Sequence, residues 1–346
     1  MSRHVPLDDA VHLSVEEATA LGTRALESIG YEPEEAAAAC AHLVDAACCG
    51  YYFAGLPRIL EINDDPRSKQ ARVPIRVVRE TPVSLMVDGG NHIAYYAMYK
   101  TALMAIDKAK KNGIALAGLY NCALSGRSAY YLELIARENL AGFLFCSGFP
   151  VVAPEGGARP MLGTNPIAIA LPTGKGPFVF DMGTGGIMRG ELALRGRLNE
   201  QLPEGVAIDA QGLPTRDPHE ALKGSILAFG GADRHKGYGL GLTIQALGLM
   251  AGAALPRGNV QDYGHLFIVF QPGLLVPEEQ FHRDVTELIR LIKATPRRPG
   301  VDEIRIPSER AYRQREQARK HGLDLDRKVF DALTKMADSK AEARAE

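Results

Sequence analysis

The sequence has 346 residues, 46% hydrophobic and 23% charged, with 40 Lys+Arg against 41 Asp+Glu and a formal net charge of −1. This is globular composition with enough apolar material for one large domain or two to three lobes. The charge balance gives no reason to expect nucleic acid or an anionic membrane as partner. The opening MSRHVPLDDAVHLS lacks a signal-peptide apolar region. The most apolar early stretch, Ala36 to Cys49, is broken by His42 and Asp45, so no membrane span is expected. The five cysteines include no C-x-x-C pair and no zinc-ligand spacing. They read as small buried residues in a reducing, cytoplasmic setting, with no metal.

In chain order, Ser14-Val15-Glu16-Glu17 is a capping box that starts a helix running to Gly30. Glu32 to Cys49 reads as an Ala-rich second helix stopped by Gly50, and Pro57 to Ile62 as a short third, broken at Asn63-Asp64-Asp65-Pro66. Strands are expected at Ile75–Arg79 and Val83–Val87, a turn at Asp88–Asn91, and a helix from Ala94 to Lys111 ended by Gly113. Ile114–Tyr120, Ala141–Cys146, Ile167–Leu171 and Phe178–Asp181 read as strands, with a helix over Ser128–Asn139. Gly190 to Lys223 is turn-rich and reads as a long functional loop or excursion. A long helix is expected from Lys236 to Ala253, a strand over His265–Phe270, and helices over Pro277–Ala294 and after Pro307. The tail Asp338–Glu346 is expected to fray.

Several motifs are missing: no G-x-G-x-x-G after the first strand, no P-loop, no G-x-S-x-G and no H-E-x-x-H. What remains is a set of glycine turns. Gly230-Gly231-Ala232-Asp233-Arg234-His235-Lys236-Gly237 opens a long helix, whose free amides suit a phosphate or carboxylate; equally, it suits simple chain reversal. Phe180-Asp181-Met182-Gly183-Thr184 empties a strand into a small-residue turn where a flat ring can approach the backbone, although an ordinary strand end looks the same. Leu162-Gly163-Thr164-Asn165-Pro166 is a further turn, of a kind that usually caps its own backbone. Arg58 has the geometry to clamp a carboxylate bidentately, or to form a surface ion pair.

Together with Pro203-Glu204-Gly205, Gly264-His265 and Ile304-Arg305-Ile306-Pro307-Ser308-Glu309-Arg310, these segments resemble one family over about residues 12–335. It contains the type 2 malate and L-lactate dehydrogenases, ureidoglycolate dehydrogenase, diketogulonate reductase and Δ1-piperideine-2-carboxylate reductase. The resemblance implies an α/β protein with a non-Rossmann, mixed and largely antiparallel sheet for NAD(P)H, NAD versus NADP being unresolved. It implies a helical lobe of 1–72 plus 273–346 and a cofactor lobe of 73–272 with the excursion at 190–223. It also implies a homodimer acting on a small carboxylate. Thr164, Asn165, Asp181, Met182, Gly183, Thr184, His235, Lys236 and Gly237 fall on cofactor-cleft positions, and Arg58 on the carboxylate-binding position.

The chain departs from the family pattern where the proton donor is expected. Phe53-Ala54 replaces Ser-His before Gly55, Leu124 stands where a second histidine belongs, and Gln245 replaces a common glutamate. A methyl group transfers no proton. Three explanations follow: Tyr51 or Tyr52 supplies the proton; the substrate is a cyclic imine already protonated, facing an apolar Phe53-Ala54-Leu124 wall; or the chain binds the cofactor without dehydrogenase activity.

Overall fold

A computed structural model describes residues 9–257 and 262–343. The chain begins with strand β1 (Ala10–Leu13), then α1 (Val15–Ile29), α2 (Pro33–Cys48) and α3 (Arg58–Asp64). The capping box forms as expected, Ser14 Oγ accepting from the Glu17 amide and Glu17 from that of Ser14. Gly30 ends α1 at φ +103°. A Cβ on Gly22 would stand 2.8 Å from Cys40 Sγ and Leu56 Cδ2, so glycine there lets α1 press on α2 and α3.

Next come β2 (Arg76–Thr81), β3 (Ser84–Asp88), α4 (Ala94–Asn112), β4 (Ile114–Tyr120), α5 (Ser128–Arg137), β5 (Ala141–Ser147), β6 (Ile167–Leu171) and β7 (Phe178–Met182). The segment read as a long loop instead folds into α6 (Arg189–Arg197), β8 (Ala207–Ile208), α7 (Pro218–Lys223) and β9 (Ser225–Ile226). Burial in α6 falls on Gly190, Leu192, Leu194 and Gly196, which is no helical stripe, so periodicity could not reveal it. After α8 (Arg234–Met250) come β10 (Gly264–Phe270), α9 (Glu278–Ala294), α10 (Glu309–His321), β11 (Leu323–Asp326) and α11 (Arg327–Ala343). α11 continues through much of the segment expected to fray; residues 344–346 lie outside the described ones.

Seven strands form one sheet in the order β2-β3-β4-β10-β5-β6-β7. Only β3 and β4 run parallel, joined through α4, and every other neighbouring pair is antiparallel. Val87, Leu119, Leu144, Phe267 and Val269 build a core with α4 and α5. α8 packs on β5 and β10; its Gly248 lies so close to Ser147 that a Cβ would clash with the hydroxyl.

A second core joins the termini: Leu26, Leu43, Leu56, Ile59 and Ile62 pack with Leu325 and Leu333. β1 pairs antiparallel with β11, a contact that two four-residue strands carry too little alternation to announce. Ile93 and Tyr95, at the start of α4, enter this second core and tie the sheet to it. A third core, including Leu162, Leu192, Leu202 and Ile226, holds the 190–223 segment together.

Candidate active site

A cleft of about 990 Å³ opens where these cores meet, within the size range of small-molecule and cofactor sites. Its helical wall is rich in charge. Arg58, at the first turn of α3, leaves only 13% of its side chain exposed and donates from Nη1 to Glu61 Oε2 at 2.7 Å. Arg189 of α6 reaches the same Glu61 oxygen at 3.4 Å, and Arg197 pairs with Asp64. α6 is therefore pinned to α3. A Cβ on Gly190 would stand 2.7 Å from Arg58 Nη1, so glycine clears the space in which the guanidinium lies. Burial works against the Arg58 charge, yet Glu61 beside it raises the pKa further above its ordinary value, so the cation is permanent.

Behind this wall lies a buried ion cluster. Arg127 reaches Asp45 of α2 and Glu133 of α5, and Arg315 of α10 reaches the same two carboxylates at 2.8 and 2.7 Å. The cluster clamps the terminal helices to the sheet lobe. His42 accepts the Arg127 backbone N–H on Nε2 and packs between Tyr95, Tyr130 and Tyr131. Burial, then the Arg127 charge, holds the imidazole well below its ordinary pKa, so it stays neutral.

The opposite wall is made of backbone. Gly163, Thr164, Asn165 and Gly183 line it. The buried Asn165 donates from Nδ2 to the Gly241 carbonyl at 2.8 Å and to Gln245 Oε1 at 2.9 Å, both on α8. Gln245 Oε1 also accepts the Gly163 amide at 3.3 Å. Asn165 Oδ1 and Gln245 Nε2 are buried without partners. Gly163 has no room for a side chain: a Cβ would meet Asn165 Oδ1 at 2.4 Å and the Gly148 amide nitrogen at 2.9 Å.

The residues singled out from the sequence divide accordingly. Arg58, Tyr51, Thr164, Asn165, Asp181 and Gly183 share the cleft wall. Thr184 is buried behind it, its hydroxyl donating to the Thr164 carbonyl at 3.1 Å. Asp181 caps α5 by accepting the Ala129 amide at 2.8 Å. One side stays open to the cleft, but desolvation by the protein on its other sides pushes its pKa up, against the pull of the α5 amides and Arg127. Met182 is not among the lining residues.

Two expectations need correction. Tyr52 is absent from the wall: its phenol accepts the Asp326 backbone N–H at 2.9 Å and its ring packs in the terminal core, so it cannot deliver a proton to the cleft. His235 and Lys236 stand exposed at the start of α8, outside the lining; Lys236 pairs with Asp233 at 3.0 Å. Gly237 is buried because the Phe229 carbonyl lies where its Cβ would be.

Sequence reasoning passed over Tyr95, Arg67, Arg127, Arg189 and Tyr263, all cleft residues. Arg67 and Arg189 both lie over the Phe149 ring, at 5.8 and 5.3 Å. No short motif carries these residues, because their neighbours in space come from distant elements. Phe53, Ala54 and Leu124 form an apolar part of the same wall.

The family model for malate/L-lactate dehydrogenase matches residues 13–334. The chain belongs to that family. The malate/(S)-sulfolactate dehydrogenase of Methanothermus fervidus is 32% identical over 94% of this chain and 97% of its own length. The Δ1-pyrroline-2-carboxylate reductase of Ancylobacter novellus is 33% identical over 94% and 98%. The malate dehydrogenase structure from Pyrococcus horikoshii superimposes with a TM-score of 0.86 at 28% identity, covering 98% of each chain. Within the malate/L-lactate dehydrogenase family, similarity thus extends to dehydrogenases of oxo/hydroxy acids and to a reductase of a cyclic imino acid.

Proposed function

We propose that the chain is an NAD(P)H-dependent oxidoreductase acting on a small 2-oxo/2-hydroxy or 2-imino carboxylate. The observation that carries this reading is the buried, permanently charged Arg58 facing a glycine-lined wall across a cleft large enough for cofactor and substrate together. The fit of a nicotinamide rests on two features of that wall. Gly163 and Gly183 line it with backbone, and the unpartnered Asn165 Oδ1 is an acceptor suited to a carboxamide. When bound, the reduced nicotinamide supplies a hydride. Arg58 holds the carboxylate with the donors Glu61 leaves free, and Glu61, Gly190 and Arg189 fix its orientation. The cofactor thus rests on an antiparallel sheet rather than on a Rossmann unit, beside a lobe built from both termini.

The imine branch is favoured by a specific observation: the wall beside Arg58 is apolar at Phe53, Ala54 and Leu124. A cyclic imine that arrives protonated needs no enzymic acid there. A homodimer accords with the apolar face the chain leaves open. α9 has no buried residue, and Leu275, Leu288 and Leu291 around it are 84%, 55% and 53% exposed. Light scattering in solution tests this. A cytoplasmic setting is supported by five free, buried thiols. Among the described residues, no helix is long and apolar enough to cross a membrane.

The test is calorimetry with NADH and NADPH, followed by cofactor oxidation with a panel of 2-oxo acids and cyclic imino acids. Binding of one cofactor and turnover of at least one substrate class are expected; no heat with either would sink the proposal. Arg58→Ala should raise KM about 30- to 150-fold through loss of charged hydrogen bonds worth about 2–3 kcal/mol. Cofactor affinity should stay within about threefold. An unchanged KM removes Arg58 from substrate binding.

A further inference from the structure

The Tyr95 ring, at the first turn of α4, is fully buried in the terminal core, yet it lines the cleft. Its hydroxyl is buried against the Arg58 guanidinium, which can only donate towards the phenol oxygen, so the O–H itself has no acceptor. An unsatisfied buried hydroxyl costs free energy, and such a group in a wall is commonly one whose partner arrives with the ligand. The surroundings fix the ring: His42 packs tilted against it at 4.7 Å between centroids, and Gly126 is tolerated only as glycine, since a Cβ would stand 2.3 Å from Tyr95 Cε1.

The other candidate donors are placed differently. The Tyr263 hydroxyl lies beside Arg67 rather than against Arg58, and the Tyr51 ring lies between Arg127 and Arg310, at 5.8 and 5.1 Å. His42 is absent from the cleft lining and accepts the Arg127 amide on Nε2. Ala54 and Leu124 carry no exchangeable proton. Tyr95 is the phenol that lies directly against Arg58, the group that grips the carboxylate.

We propose that Tyr95 donates the proton to the carbonyl oxygen of a 2-oxo acid held by Arg58. The inference rests on the oxidoreductase reading above. In a 2-oxo acid the carbonyl is bonded directly to the carboxylate carbon, so a donor placed against Arg58 lies beside that oxygen. As C2 gains a hydride, the C=O π pair moves onto oxygen, and that oxygen takes the Tyr95 proton to become a hydroxyl. The two electrons come from the reduced nicotinamide, which leaves oxidised. The phenolate left beside the Arg58 cation is stabilised until it regains a proton from water. Burial pushes the phenol pKa up, opposed by Arg58, so the group is protonated at neutral pH and ready to donate.

The test compares the wild type with Tyr95→Phe, which removes only the phenolic oxygen and should leave folding intact. With NADH or NADPH bound, calorimetry of oxamate, an unreactive 2-oxo acid mimic, should show binding weakened about two- to tenfold in the variant. Turnover of pyruvate or oxaloacetate should fall by about 100- to 10,000-fold, the range for loss of a general acid. Turnover of Δ1-pyrroline-2-carboxylate should change by less than about threefold, because a protonated imine needs no donor. Equal losses on both substrate classes would make Tyr95 a positioning residue for Arg58 and overturn the proposal. So would unchanged oxamate binding and oxo-acid turnover, or a wild type that reduces only the imine; in those cases the oxidoreductase reading survives. A wild type that binds neither cofactor and oxidises neither would overturn both.

Discussion

On the helical wall of the cleft, Arg58, Arg127 and Arg189 are placed by ion pairs that run from α3 to α6 and, with Arg315 behind the wall, from α2 and α10 to α5. On the opposite wall, Gly163, Asn165 and Gly183 are placed by backbone contacts and by one amide pair, Asn165 with Gln245. The first wall depends on long side chains whose partners come from both ends of the chain. The second depends on side chains being absent. The difference shows how one cleft can hold a charged substrate group on one side and a flat ring on the other. Charge fixes direction, and bare backbone permits close approach.

If the helical wall is held by its charge cluster, breaking that cluster should have the largest effect on folding. Glu133 sits between Arg127 and Arg315, all three nearly inaccessible to water. Glu133→Gln leaves two buried cations sharing Asp45 alone and should cost about 3–5 kcal/mol, read from denaturant midpoints. Burial raises the Glu133 pKa, but Arg315 and Arg127 outweigh it and hold the carboxyl below its usual range. Its contribution is therefore present above pH ~4.3 and is lost as pH falls through the lower folded value. A loss below about 1 kcal/mol would mean the wall is held by packing instead.

The corresponding change on the glycine wall is Gln245→Leu. It removes the acceptor of Asn165 Nδ2 and of the Gly163 amide, although Asn165 keeps the Gly241 carbonyl and the unpartnered Gln245 Nε2 disappears as well. The net cost should be about 1 kcal/mol, with cofactor affinity falling about tenfold as the Gly163–Asn165 turn loosens. Arg58-dependent KM should hardly move. A KM that shifts as much as cofactor affinity would show that the two walls are not independent.

The same contrast explains what the sequence made legible. Elements fixed by local rules were readable: the Ser14–Glu17 capping box, the Gly30 and Gly113 helix stops, and strands such as Ile114–Tyr120. The glycine turns at Gly163–Asn165 and Asp181–Thr184 were readable too, because small residues at strand ends leave a local mark. The charged wall was not. Arg127 matters through Asp45 and Arg315, which lie 82 and 188 positions away in sequence, and Tyr95 through its place beside Arg58. Tyr52 and Tyr51 are adjacent in sequence, yet only Tyr51 faces the cleft, a distinction set by the 3-10 turn over Tyr52–Ala54. The α6 helix escaped for a related reason, since Gly190, which clears space for Arg58, looks like a turn former when read in order.

The smallest effect at neutral pH, and the sharpest in pH dependence, concerns His265 of β10. It is fully buried with neither ring nitrogen partnered, 6.4 Å by ring centroids from the cleft residue Tyr263, and burial pushes its pKa down to about 3. In the unfolded chain the imidazole takes its proton near pH ~6.5. Between those two values the unfolded state binds more protons than the folded one, so stability is intact above pH ~6.5 and declines as pH falls towards 3. The slope should be about 1.4 kcal/mol per pH unit, or about 2 kcal/mol by pH 5. His265→Leu removes the titrating group without stranding a hydrogen-bond partner. Denaturant unfolding at pH 7, 6 and 5 should show the variant close to wild type at the first and more stable than it at the last. Parallel curves would mean that His265 finds water or a polar partner in solution, and that the region behind Tyr263 is less dry than its packing indicates.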